Sequence, residues 1–206
     1  MKKVLLASAL VMSTLVYAEG DVVKKEKAIL DSLEVDFADG FFYVGIGVNS
    51  MSLENEANKE KFSTIGKMIQ VGYQYGNYVA IEGRYTSQAT DVKYSGGTTA
   101  NADVTNYPTD FSNIGIYFKP LYPIGNLSLY GLVGYGQVKL TNIPQGDVDR
   151  SETALQWGGG VSYTIGNTLS VFGDYVSMYS GEGFDFLAAS STHKGELITI
   201  GLSYRF

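Results

Sequence analysis

The final strand of the chain most tightly limits what it can fold into. From Leu197 onward, Ile198, Ile200, Leu202, Tyr204 and Phe206 fall on one side of an extended backbone. Thr199, Gly201, Ser203 and Arg205 fall on the other, a period of two. The sequence stops on an aromatic residue and leaves one strand face apolar. Water penalises such a face, whereas acyl chains solvate it. No apolar run approaches the ~20 residues that a spanning helix needs. Strands, not helices, are the elements with which this chain would enter lipid.

The N-terminus reads as an export signal. Lys2 and Lys3 form a positive start, Val4 to Leu15 an apolar stretch, and Val16-Tyr17-Ala18 a small-residue cleavage site with Ala18 last. The expected layout is a signal peptide over 1–18, an N-terminal extension over 19–40 and a barrel domain over 41–206. Val22, Glu26, Ile29 and Leu33 give the extension roughly helical spacing. With no cysteine, the chain offers no lipid-anchor thiol, disulfide or thiolate metal site. Its net charge of −6 becomes more negative once Lys2 and Lys3 are removed, and it has no basic cluster, which argues against nucleic-acid binding. Gly 25, Tyr 16 and Phe 10 against a single histidine favour strands and turns over histidine chemistry. No cofactor or metal site is expected.

A short repeat organises the domain. Gly76-Asn77, Gly125-Asn126 and Gly166-Asn167 each lie between two alternating apolar segments. Glycine supplies the positive φ of a tight hairpin. The reading is all-β: eight strands near 41–51, 65–76, 78–88, 110–120, 127–141, 153–165, 168–179 and 195–206. They form an antiparallel up-and-down transmembrane barrel, with short turns at one end and long polar loops at the other.

The polarity of the faces separates this barrel from a water-soluble one. Phe42, Val44, Ile46 and Val48 share a face, as do Ile114, Ile116 and Phe118, while Glu82, Arg84, Lys119 and Asp174 point the opposite way. Charges are costly in a small dry core unless paired. They suit the polar interior of a membrane barrel. Tyr78 and Tyr85 would be separated by roughly 18 Å along the axis of a tilted strand. Tyr75, Tyr78, Tyr122, Tyr163, Tyr204 and Phe206 are therefore expected in one aromatic girdle, and Tyr85, Tyr135, Trp157 and Tyr175 in the other. Tyr130 and Leu132 break the pattern by falling on the inner face, where they would fill space opposite glycines.

Gly201-x-x-Tyr204-x-Phe206 resembles the C-terminal signal read by the outer-membrane barrel assembly machinery. The chain as a whole resembles the small OmpA-like and OmpX-like outer-membrane barrels of Gram-negative bacteria. That resemblance implies outer-membrane location with both mature termini in the periplasm. The implied partners are outer-membrane lipids, lipopolysaccharide and the assembly machinery, with long loops available to an extracellular partner. It also implies a lumenal charge network of Glu82, Arg84, Lys119, Asp174 and Arg205. An eight-stranded barrel is just wide enough for side chains. The expected function is a structural or surface-interaction protein with a polar, largely closed lumen; the alternatives are a narrow porin-like conduit and a lipid A-modifying enzyme. His193 is expected at the surface of the last loop, and Asp147-Val148-Asp149-Arg150-Ser151-Glu152 as a solvated acidic turn.

Overall fold

The computed structural model describes residues 40–56, 61–95, 105–107, 110–141, 150–181 and 192–206. The signal peptide with Ala18, the extension up to residue 39, and Asp147, Val148 and Asp149 of the acidic turn lie outside them. Ten strands are present among the described residues: β1 (Gly40–Asn55), β2 (Lys61–Tyr75), β3 (Val79–Gln88), β4 (Val92–Ser95), β5 (Thr105–Tyr107), β6 (Asp110–Ile124), β7 (Leu127–Thr141), β8 (Arg150–Ile165), β9 (Leu169–Gly181) and β10 (His193–Arg205). Eight of them close a ring in the order β1-β10-β9-β8-β7-β6-β3-β2, completed by β2 pairing back to β1. The pairings around the ring are all antiparallel. Closure leaves no sheet edge in the ring, so the backbone groups are paired internally, as lipid requires.

The three Gly-Asn sites are the tight turns, with φ of 57° at Gly76, 62° at Gly125 and 65° at Gly166. The sequence reading stops the fourth strand near residue 120. Instead β6 runs through Pro120 and Pro123 to Ile124. Pairing of β3 with β6 ends at Val79 opposite Pro120, so Pro123, which lies opposite Ser128 of β7, has no β3 partner across from it. Inside the 88–110 loop, β4 pairs with β2 and with β5. These two short strands carry the sheet beyond the ring of eight.

The outer face is apolar over a continuous band. Ile46, Ile69, Ile116, Trp157 and Ile200 are each more than half exposed. A belt of this extent far exceeds the apolar patches of water-soluble monomers. Tyr75, Tyr78, Tyr85, Tyr122, Tyr135, Trp157, Tyr163 and Tyr175 all project from this outer surface. From Ile198 to Phe206 the band rises roughly 20 Å along the axis, close to the ~25 Å apolar height of outer-membrane barrels.

The inner face has two layers. Toward the turns it is polar and charged. Toward the loops it becomes apolar, with Met51, Leu53, Phe111, Leu140, Met178 and Leu197 fully buried. The outer face changes in the opposite sense at the same level. On β1, Phe42, Val44, Ile46 and Val48 face outward, then Ser50, Ser52 and Glu54 take that side while Met51 and Leu53 turn inward. On β7, Val133 and Tyr135 give way on the outside to Gln137 and Lys139 as Val138 and Leu140 fill the interior. β1, β2, β8, β9 and β10 run two to four residues further toward the loops than the sequence reading places them, because this second core holds them together, whereas β3, β6 and β7 end there as expected. The expectation of a polar lumen is therefore corrected: the loop-side interior is mainly apolar, with Asn55, Thr64 and His193 buried among its apolar side chains.

Candidate functional site

The barrel interior is the site built most completely by the fold. Glu82 and Arg84 project inward from β3 two residues apart, and Asp174 projects from β9. β3 and β9 stand four places apart in a ring of eight, on opposite walls. Arg84 Nε donates to Glu82 Oε1 at 2.5 Å, and its Nη1 and Nη2 donate to Asp174 Oδ1 and Oδ2 at 3.0 and 2.7 Å. The guanidinium thus uses its planar fork as a strut across the lumen. Lys119 Nζ, from β6, donates to Glu82 Oε2 at 2.8 Å. Two cations and two carboxylates make the layer neutral, and their side chains are almost wholly buried.

Aromatic residues complete the layer. Tyr43 Oη donates to Glu82 Oε2 at 2.5 Å and Tyr130 Oη to Asp174 Oδ2 at 2.8 Å. Lys119 Nζ lies 4.2 Å from the Tyr130 ring centroid, and Arg84 Cζ lies 5.7 Å from that of Tyr117, a cation–π shell around the charges. Tyr117 Oη donates to Gln156 Oε1, and Gln156 Nε2 donates to Asn113 Oδ1 at 2.8 Å. Tyr43, Tyr117 and Gln156, which the sequence reading places on the inner face but not in the charge layer, join it, as does Asn113, which it did not place. Their signal was polar or amphipathic side chains in the inward phase of otherwise apolar strands.

Arg205 stands apart from these charges. Its guanidinium carbon is 4.4 Å from the Phe41 ring centroid near the turn end. Its expected place in the charge network is corrected, because β10 ends at the mouth of the barrel rather than at the level of Asp174. Tyr130 packs opposite Gly160: a Cβ there would sit 2.7 Å from Tyr130 Cζ and 2.5 Å from Asp174 Cβ. Gly201 faces inward, where a Cβ would sit 2.5 Å from Phe172 Cζ and 2.4 Å from Ile46 O. Tyr204 and Phe206 project outward with ring centroids 5.2 Å apart, edge to face. His193 is not at the surface. It opens β10 on the inner side, opposite Asn55 and Gly181, and is fully buried. The physical reason is that β10 starts two residues earlier than expected, in phase with inward Gly195 and Leu197. Among the described residues no cluster of His, Asp and Glu is arranged to hold a metal ion.

Below the charge layer the lumen opens as a polar vestibule of about 250 Å³ at the turn end, lined by Gln70, Gln74, Ser128, Ser162, Ser203 and Arg205 among others. Above it stands the apolar layer. The interior is thus open to solvent at the turn end and filled across its middle and upper parts.

Comparison with solved structures places this architecture. The chain is similar to the attachment invasion locus protein Ail of Yersinia pestis, solved in complex with the heparin analogue sucrose octasulfate, at 20% identity and a TM-score of 0.53, covering 82% of this chain and 99% of that one. It is similar to the outer membrane protein OprG of Pseudomonas aeruginosa at 14% identity and a TM-score of 0.51, covering 82% and 96%. It is also similar to Neisserial surface protein A at 15% identity and a TM-score of 0.50, covering 80% and 97%. No curated relative matches the chain. The closed antiparallel barrel fold is shared with these structures. The model described as the outer membrane protein beta-barrel domain matches residues 27–206, and the chain belongs to that family.

Proposed function

We propose that this chain is a structural and surface-interaction protein of the outer membrane, a closed barrel that holds its loop end outside the cell and its turns and mature termini in the periplasm. One observation carries this reading. The interior carries two packed layers, the charge layer joining Arg84 to Glu82 and Asp174 and the apolar layer around Met51, Leu140 and Met178. A conduit needs a continuous wetted path, and the apolar layer interrupts it. Strands with a core of their own continue past the lipid-facing band on the loop side, which suits a rigid platform raised above the membrane. The sugar-sulfate analogue bound to Ail supports an extracellular partner for such a platform. A lipid-modifying reading would need histidine on the lipid face, and His193 is enclosed. The outward tyrosines and Trp157 would meet lipid and lipopolysaccharide at the band edges, and Gly201, Tyr204 and Phe206 would be read by the assembly machinery.

The test joins two measurements. An epitope placed in the 88–110 loop should be labelled on intact cells, with the protein recovered in the outer-membrane fraction and shifting in mobility on boiling. Purified protein in planar bilayers should show no steady single-channel current. A large, stable conductance, or an epitope accessible only after the outer membrane is opened, would overturn the reading.

A further inference from the structure

The vestibule at the turn end has features that neither closure nor packing uses. Its cationic lining residues are Lys119 and Arg205, and no carboxylate lines it among the described residues. Lys119 is committed to Glu82 at 2.8 Å. Arg205 is committed to nothing acidic among the described residues: its guanidinium rests on the Phe41 ring at 4.4 Å. A planar guanidinium held over an aromatic ring keeps its N–H edge free for a bidentate anion. Deeper in the same space, Gln70 is 5% exposed and its side-chain carbonyl oxygen receives no hydrogen bond. A buried acceptor left open calls for a donor. Around these two groups stand hydroxyls from separate strands: Ser128 on β7, Ser162 on β8 and Ser203 on β10. The space, about 250 Å³, ends at the charge layer.

We infer that this vestibule is a binding site for a small polyhydroxylated carboxylate, a molecule of sugar-acid size. Arg205 takes the carboxylate, Gln70 accepts from a hydroxyl of the ligand, and the serines exchange hydrogen bonds with the rest. A neutral sugar would leave Arg205 unanswered, and a bare inorganic anion would leave Gln70 so. The volume equals that of roughly eight liquid waters at ~30 Å³ each, enough for a six-carbon acid. That the ligand arrives from the periplasm rests on the orientation proposed above; the binding itself does not.

The experiment uses the full mature chain in detergent micelles, where orientation plays no part. Sodium D-gluconate is titrated against amide NMR shifts, with D-glucose and sodium sulfate as separate probes at matched ionic strength. Saturable gluconate shifts at Ser128, Ser162 and Ser203, at least tenfold tighter than for glucose or sulfate, are expected. R205Q, checked for its boiling-dependent mobility, should weaken gluconate at least tenfold. The mapping on the unmutated chain stands alone if R205Q does not fold. Equal affinity for glucose or for sulfate, shifts confined to the loop end, no saturable shift, or an unaffected folded R205Q would each overturn the inference. Surface labelling of the loop epitope is independent of all these outcomes, so a misassigned orientation and a false binding site are told apart.

Discussion

Arg84 and Asp174, ninety residues apart in sequence, meet across the full width of the barrel through two hydrogen bonds of 3.0 and 2.7 Å. Their side chains are 1% and 0% exposed. Removing one partner of a buried pair leaves an uncompensated charge, at a cost of about 3–5 kcal/mol. D174N should therefore lower the unfolding free energy of the refolded barrel by that order, seen as a lower urea midpoint by tryptophan emission or boiling-dependent mobility. Replacing both partners together, as R84M/D174L, should recover at least half of the loss. A double variant as unstable as D174N alone would show that the strut is not acting as a pair.

The apolar layer makes a separate prediction. Leu140 is 1% exposed and Met178 fully buried, on β7 and β9. L140A should cost about 2–5 kcal/mol, as large-to-small changes in packed cores do. It should loosen the loop end first, seen as faster amide exchange at the ends of β7 and β8 than in the membrane band. Removing the strut with R84A/D174A should leave bilayers silent, because the apolar layer still blocks the lumen. Conductance from that double variant would mean the charges are the only seal.

The architecture was legible because its signals are local and repeated. The three Gly-Asn turns, the alternation on β1 and β10 and the aromatic terminus each carry their own register information, and closure follows once backbone groups must be paired in lipid. The strut was legible only as inward charges. That Arg84 reaches Asp174 rather than Arg205 joining them depends on which strands face each other around the ring and how far along the axis each charge sits. The reversal of polarity was written in the chain: the apolar phase of β1 passes from Phe42, Val44, Ile46 and Val48 to Met51 and Leu53. A reading that expects one polarity per face takes that change of phase for the end of the strand. The same bias put His193 in a loop.

Gly160 should be intolerant of any side chain. A Cβ there would sit 2.5 Å from Asp174 Cβ, 2.5 Å from Gly173 O and 2.7 Å from Tyr130 Cζ. Two of the three obstacles belong to the charge layer, and the third is backbone. G160A should cost about 1–3 kcal/mol through overpacking and should shift the Tyr130 and Asp174 resonances in NMR spectra. Gly166 gives the contrast. It has φ of 65° and open space around it, so G166A should cost about 1–2 kcal/mol through backbone strain alone and G166N less. If G160A and G166A proved equally mild, steric demand at Gly160 would be refuted.

The level at which the strands change polarity fixes where lipid ends, and paired substitutions on β1 locate it. Ile46 is 64% exposed in the apolar band, whereas Ser52 projects to the same side beyond it, opposite Ser63 and Glu196. An arginine on the lipid face costs ~2–4 kcal/mol near the bilayer midplane and ~0–1 near its edge. I46R should therefore lower folding stability in lipid vesicles by about 2–4 kcal/mol, and S52R by less than about 1. In micelles, whose charged or polar boundary adapts to the protein, the difference should narrow. The inward neighbour supplies the control with the opposite sign of environment: M51R, at 0% exposure, should be severe in vesicles and micelles alike, because its cost is set by the protein's own core and not by lipid. A mild M51R beside a severe S52R would place the lipid boundary higher on the barrel and return the loop-end interior to water.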